Sequence, residues 1–206
     1  SDCNSEYSGT ALEGQVTLSS GIQEWTVPYT GTYEIEVWGA AAVGQTYESF
    51  GNNRFGLGAR MKGIFLLNAG DILQILVGQK PIQSAFNGGG GGTFVAEGSH
   101  YSNASPLIIA GGGGSYRCGY DWANYQEILD GTINTSGQNA SSNGGNNGDG
   151  ASGTSGGGGG AGFFSNASYG SFALAFVNGG VGGEYSSYVG GQNGGFGGGG
   201  HGGYGG

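Results

Sequence analysis

Four asparagines stand in the N-x-Ser/Thr pattern that accepts an N-linked glycan: Asn103-Ala-Ser105, Asn134-Thr-Ser136, Asn139-Ala-Ser141 and Asn166-Ala-Ser168. Each falls in a stretch that reads as loop, where a bulky sugar is tolerated. In an Asn- and Ser-rich chain such sequons also arise by chance, and Pro106 directly after the Asn103 sequon makes that one the least favourable. Other chemistry is thinner. Gly153-Thr-Ser155-Gly-Gly matches the spacing of a nucleophile elbow, but no strand leads into it. The glycine runs at 156–162 and 194–200 contain the GxGxxG spacing without the strand–helix unit that cradles a dinucleotide, and no Gly-Lys-Ser/Thr follows any of them. Asn147-Gly-Asp149-Gly resembles one turn of a calcium-binding repeat, and a single copy cannot stack. His100 and His201 are the two histidines, and neither has a partner at metal-ligand spacing. Glu34 and Glu36 share one strand face, the arrangement of a solvated surface rather than of a glycosidase pair. The expectation is a non-enzyme with no cofactor and no metal.

Composition narrows the partners. The 206 residues carry five Lys+Arg against 14 Asp+Glu, a formal net charge of −9. Phosphate affinity rests on Lys and Arg, so a nucleic-acid binder is excluded, as is a basic helix lying on an anionic membrane. No stretch approaches the roughly 18 apolar residues of a membrane-spanning helix. Glycine supplies 53 residues without collagen's Gly-X-Y period.

Positioning falls to short strands. Residues 22–27 and 33–37 alternate apolar with polar, and the runs at 63–67, 72–77 and 107–110 are short, β-branched and bounded by Gly, Asn or Asp. Such spacing predicts an antiparallel β-sandwich or jelly roll. One helix is expected over residues 120–129, with Asp121 as its cap. The glycine-dense back half reads two ways. Residues 132–155 have the composition of a flexible linker. Against that, the run 172–177 reads as a strand that brings the chain back to the core. Phe163, Phe164, Val181, Phe196 and Tyr204 also recur between glycine runs. Polyglycine can form extended helices with three residues per turn, packed side by side through bare Cα atoms. Ordering glycine costs more entropy than ordering any other residue, so such a bundle needs a β core to anchor its ends.

An ordered series of motifs runs from Ile22 to the C-terminus. It begins Trp25-Thr-Val-Pro28-Tyr-Thr-Gly31-Thr-Tyr33, Ile35-Glu-Val-Trp38-Gly39-Ala40 and Gly70-Asp71-Ile-Leu-Gln-Ile-Leu76-Val-Gly78-Gln79. It continues with the glycines at 88–92 before Thr93-Phe94-Val95, Leu107-Ile-Ile-Ala110 before four glycines, and Gly194-Gly-Phe-Gly-Gly-Gly-Gly200. The series resembles the glycine-rich extracellular domain of the anaplastic lymphoma kinase and leukocyte tyrosine kinase receptors. That resemblance implies a jelly-roll, TNF-like β sandwich interrupted by polyglycine-II helices and placed outside the cell. It implies no kinase. In an extracellular chain, two cysteines point to one disulfide, Cys3–Cys118, or otherwise to two separate buried thiols. A start at Ser1-Asp2-Cys3 is what a secreted chain presents after signal removal.

The organisation expected is an N-terminal arm over 1–21 and a single glycine-rich domain over 22–206. Its sandwich would occupy about 22–116 plus 171–178, with glycine-rich regions at about 131–170 and 179–206. Leu12, Val16 and Leu18 lie on one side of an extended strand in the arm. That strand adds either to a neighbouring subunit, building a filament, or to its own sheet. Two functions follow: a secreted, self-assembling subunit of a glycosylated fibril, coat or matrix, or a ligand-binding or adhesive ectodomain. Its partners would be a second copy of itself and glycans, or, for the ectodomain, a protein ligand, without nucleic acid or membrane insertion.

Overall fold

The computed structural model describes residues 3–43, 55–82, 88–115, 129–139, 143–153, 158–168, 173–184 and 193–200. Seven strands dominate them: β1 (Val16–Ser19), β2 (Ile22–Thr26), β3 (Gly31–Trp38), β4 (Arg60–Leu67), β5 (Ile72–Leu76), β6 (Thr93–Glu97) and β7 (Ser105–Ala110). All pair antiparallel. One sheet has the order β1-β2-β5-β6-β7, and β3 with β4 forms a second. Among the described residues, helix is confined to one turn, α1 (Cys3–Glu6), and to short 3-10 turns.

The period-two patterning explains why two cores form. From β5, Leu73 and Ile75 point to one side of the five-stranded sheet. On that side they meet Val27, Val95 and Ile108, together with Tyr33, Ile35, Val37, Met61 and Phe65 of the β3–β4 sheet. Trp25 and Tyr33 pack edge to face there, with ring centroids 5.9 Å apart. Leu76 of β5, with Phe94 and Ala96 of β6, points to the other side and meets Phe163 and Phe176 from the glycine-dense half. The sheet is therefore covered on both faces, which is why β6 reads as a continuous buried run rather than an alternating one. Gln74 is fully buried on this second side. Its Nε2 donates to Glu24 Oε1 at 3.1 Å and to the Gly98 carbonyl at 3.2 Å, tying β2, β5 and the turn after β6 together.

Of the two pairings open to the arm, the structure shows the one within its own sheet. Val16–Ser19 pairs with Ile22–Thr26 in register Val16↔Trp25 to Ser19↔Ile22, so β1 is an edge strand of its own sheet. Ser20 and Gly21 close the hairpin with φ of 52° and 81°, the double positive φ of a type I′ turn. A boundary at residue 21 would cut that hairpin. Leu12 lies in the turns that precede β1, Val16 is buried and Leu18 is half exposed, so the three do not share one free apolar face. At the opposite edge, β7 carries Pro106 at a bulge between Val95 and Ala96, where a missing N–H does no harm.

The segment around 172–177 also differs from expectation. Phe172 lies outside the described residues. Residues 173–175 carry no strand ladder, and Phe176–Asn178 is a 3-10 turn ending at Gly179 with φ 99°. The chain does return to the core here, because Ala173, Ala175 and Phe176 are buried. The β-favouring Phe176 and Val177 are overridden by packing in the cluster of Phe163 and Phe94.

Candidate functional site

The glycine segments meet backbone to backbone, and their hydrogen bonds recur at every third residue. Gly39 N–H donates to Ala59 O and Ala42 to Gly56 O; Ala40 donates to Gly91 O and Val43 to Gly88 O; Gly56 donates to Gly114 O and Ala59 to Gly111 O. These six bonds measure 2.8–3.2 Å. In each pair one chain advances three residues while its neighbour retreats three. A β ladder would return to the same neighbour every second residue. Segment 39–43 therefore bonds to 56–59 through one set of residues and to 88–92 through the next, and Gly113 N–H donates to its Ala40 carbonyl.

Residues 194–200 form the seam between the two halves of the chain. On the front side, Gln79 N–H donates to Phe196 O at 2.7 Å, Gly92 to Gly197 O at 2.8 Å and Gly89 to Gly200 O at 2.9 Å. On the back side, Ala161 N–H donates to Gly198 O at 2.7 Å and Gly183 to Gly199 O at 2.9 Å. Only bare Cα atoms permit this approach. A Cβ built on Gly91 would overlap the Phe196 carbonyl, one on Gly113 the Gly56 carbonyl and one on Gly195 the Gln79 carbonyl. Thr93, almost fully buried at the start of β6, couples sheet to lattice. Its hydroxyl donates to the Trp38 carbonyl at 2.5 Å and accepts the Gly78 N–H at 2.9 Å.

Aromatic side chains hold the lattice to the sheet. Phe163 and Phe176 stack with centroids 4.8 Å apart, and Phe94 of β6 lies 5.5 Å from Phe176 and 6.2 Å from Phe163. Phe196 packs on the same cluster. Each net backbone hydrogen bond contributes about 1 kcal/mol, no more than the roughly 1–2 kcal/mol lost in fixing each residue. The aromatic clamps are what tip the balance.

The sequons sit outside this lattice and differ in how their side chains are held. Asn134 lies exposed in a bend, with its N–H on Thr132 Oγ1 at 3.0 Å. Asn139 Oδ1 accepts the Gly144 N–H at 2.8 Å; its Ser141 lies outside the described residues. Asn166 Oδ1 accepts from the Ala175 N–H and from Asn178 Nδ2, both at 2.8 Å, so it braces the returning segment. Asn103 is part of a capping box with His100, accepting the His100 N–H at 3.2 Å. Asn134 is the least encumbered of the four.

Cys3 is a buried free thiol. The Cys3–Cys118 bond is thus not formed in this structure, and Cys118 itself lies outside the described residues. Burial raises the nearby Tyr7 phenol above its ordinary range, with Cys3 adding to the effect. Tyr7 donates to Gln23 Oε1 at 2.7 Å, which pins the arm to β2.

The other sequence candidates take structural places. His100 caps the 3-10 turn Tyr101–Asn103 and lies 4.0 Å from the Tyr101 ring, centroid to centroid. Asn147 and Gly148 (φ 51° and 87°) make a type I′ turn, with the Asp149 N–H on Asn146 O at 2.9 Å. His201, Ser155 and residues 120–128 of the expected helix lie outside the described residues. Among the described residues no three of His, Cys, Asp and Glu gather, and no helix is long and apolar enough to cross a membrane. What sequence reading missed is the identity of the glycine partners, since one glycine run looks like another. No protein-family model matches the chain.

Proposed function

We propose that this chain is a non-catalytic structural subunit of an extracellular, glycosylated fibril, coat or matrix, built as a β sandwich that carries a bundle of polyglycine-II helices. The observation that carries the reading is the three-residue hydrogen-bond repeat between glycine segments from both halves of the chain. Three residues per turn is the period of the polyglycine-II backbone. A segment without side chains offers no nucleophile, base or ligand group. With its N–H and C=O groups bonded to neighbouring segments, it offers stiffness and shape.

Three further features support the reading. The exposed Asn134 sequon, and the resemblance to a receptor ectodomain, both favour the outside of the cell. The paucity of charge, at 9% of residues, leaves surfaces suited to packing against copies of the same chain. The edge strand β1 pairs on one side with β2 of its own sheet, so the arm is not a strand left free to exchange.

The test is to purify the native glycosylated material and to examine it by electron microscopy and intact-mass measurement. Polymer, with mass increments of N-acetylhexosamine on at least one of Asn134, Asn139 and Asn166, is the expected result. A monodisperse monomer with a bare polypeptide mass would overturn the proposal. A glycosylated monomer would instead favour a ligand-binding ectodomain.

A further inference from the structure

The outward face of the β3–β4 sheet has an unusual make-up. Reading across the register, Thr32 faces Leu66, Glu34 faces Ile64, Glu36 faces Lys62 and Trp38 faces Arg60. The alternate pairs point into the core. Ile64 is 70% exposed, Leu66 75% and Trp38 54%, so large apolar groups stand in solvent on a chain that has a covered core elsewhere. Between them the charges are matched. Arg60 pairs with Glu36 and lies over the Trp38 ring at 5.7 Å, and Lys62 Nζ is 2.9 Å from Glu34 Oε1. The chain has a net charge of −9 and only five basic residues, and two of those five are here. The face is neutral on an otherwise anionic molecule.

We infer that this face is a contact between two copies of the chain. The inference rests on the self-assembly proposed above and gives it a surface. Charge decides the occupant. Two anionic copies repel over most of their surface, and they approach at least cost where each presents as many cations as anions. Charge also decides the geometry. The anionic residues Glu34 and Glu36 lie along β3, and the cationic Arg60 and Lys62 lie along β4. Two copies meet face to face about a two-fold axis parallel to the strands, because that axis lays each β3 row over the partner's β4 row. Lys62 of one copy then sits over Glu36 of the other, and Arg60 over Trp38. An axis running across the strands would stack Glu on Glu.

Trp and Arg are the residue types that anchor interfaces. Their pairing with solvent-exposed Ile and Leu gives the patch an apolar centre and charged partners, as interfaces require. Eight residues of a two-stranded ribbon span only about 26 Å by about 10 Å. This is well under the roughly 800 Å² per partner of a standard interface. The contact is therefore weak singly, and it closes a pair rather than a chain. In a filament it operates beside a second, head-to-tail contact.

A charge exchange tests this. Lys62→Glu and Glu36→Lys each place like charges across the two-fold, and each variant alone should need about tenfold higher concentration to associate. Mixing the two variants restores opposite charges at both contacts, so the mixture should associate as the unaltered chain does. Light scattering across a concentration series reads this, with melting temperature as the check on folding. Leu66→Lys, on the most exposed of the apolar residues, is a second variant that leaves the charge pairs in place and should also weaken association. Association unchanged in all three variants, or lost without rescue on mixing, overturns the inference while leaving self-assembly intact. An unaltered chain that stays monomeric at every concentration overturns both.

Discussion

Phe176→Ala should remove about 3–5 kcal/mol of stability, the largest loss expected from any single truncation in the described core. Phe176 has no exposed surface and touches both Phe163 and Phe94. It is the point where the glycine-dense half grips the five-stranded sheet. Its removal leaves a cavity that rigid β5 and β6 residues cannot fill, because Leu76, Phe94 and Ala96 are fixed by their own ladder. The loss is a large part of the total stability of a domain, which is about 5–15 kcal/mol. Denaturant unfolding measures it. A loss below about 1 kcal/mol would mean that the back half is not clamped there.

Two glycines two residues apart should respond in opposite ways. A Cβ on Gly113 would overlap the Gly56 carbonyl, an atom held by the Ala42 N–H and unable to turn aside. Gly113→Ala should therefore cost about 3 kcal/mol as overpacking against backbone. For a chain of this length that is a fall of about 6–12 °C in melting temperature. A Cβ on Gly111 meets nothing within 4 Å, and that glycine is exposed. Gly111→Ala should be neutral or should stabilise by about 0.4–1 kcal/mol, because it stiffens the unfolded chain. In a flexible linker the two substitutions would be indistinguishable. Equal melting temperatures for the two variants would refute the lattice at this position.

Much of the front half is legible in the sequence. The alternating runs at 22–27 and 33–37 and the short apolar runs at 63–67, 72–77 and 107–110 all fall within or against observed strands. Period two is a local signal, and the local signal suffices for strand identity. Partner choice is not local. The apolar residues of β1 look the same whether the strand pairs with β2 or with another molecule, and only the Ser20-Gly21 turn distinguishes the cases. The same limit governs the glycine runs. Phe163 and Phe196 mark the places where the chain returns to the core, but no feature of the run at 88–92 says that it bonds to Ala40 and Gly200. At 172–177 the β-favouring sequence is real, and tertiary packing overrules it. The β3–β4 outer face is half visible: Glu34 and Glu36 read as a solvated surface, while Ile64 and Leu66 stand in a continuous apolar run, and only the register places them opposite Glu34 and Thr32 on that face.

Backbone hydrogen–deuterium exchange, resolved at single glycines, tests the central claim most directly. The amides of Gly89, Gly90, Gly91, Gly92 and Gly113 each donate to a distant carbonyl. They should exchange as slowly as the amides of β5 and β6, because Gly89 and Gly92 bond to the seam at 194–200 and Gly90, Gly91 and Gly113 bond to segments that continue into the strands. Exchange at these five glycines at the rate of an unstructured peptide, while β5 and β6 stay protected, would contradict the account and leave the glycine runs as loose connections between strands.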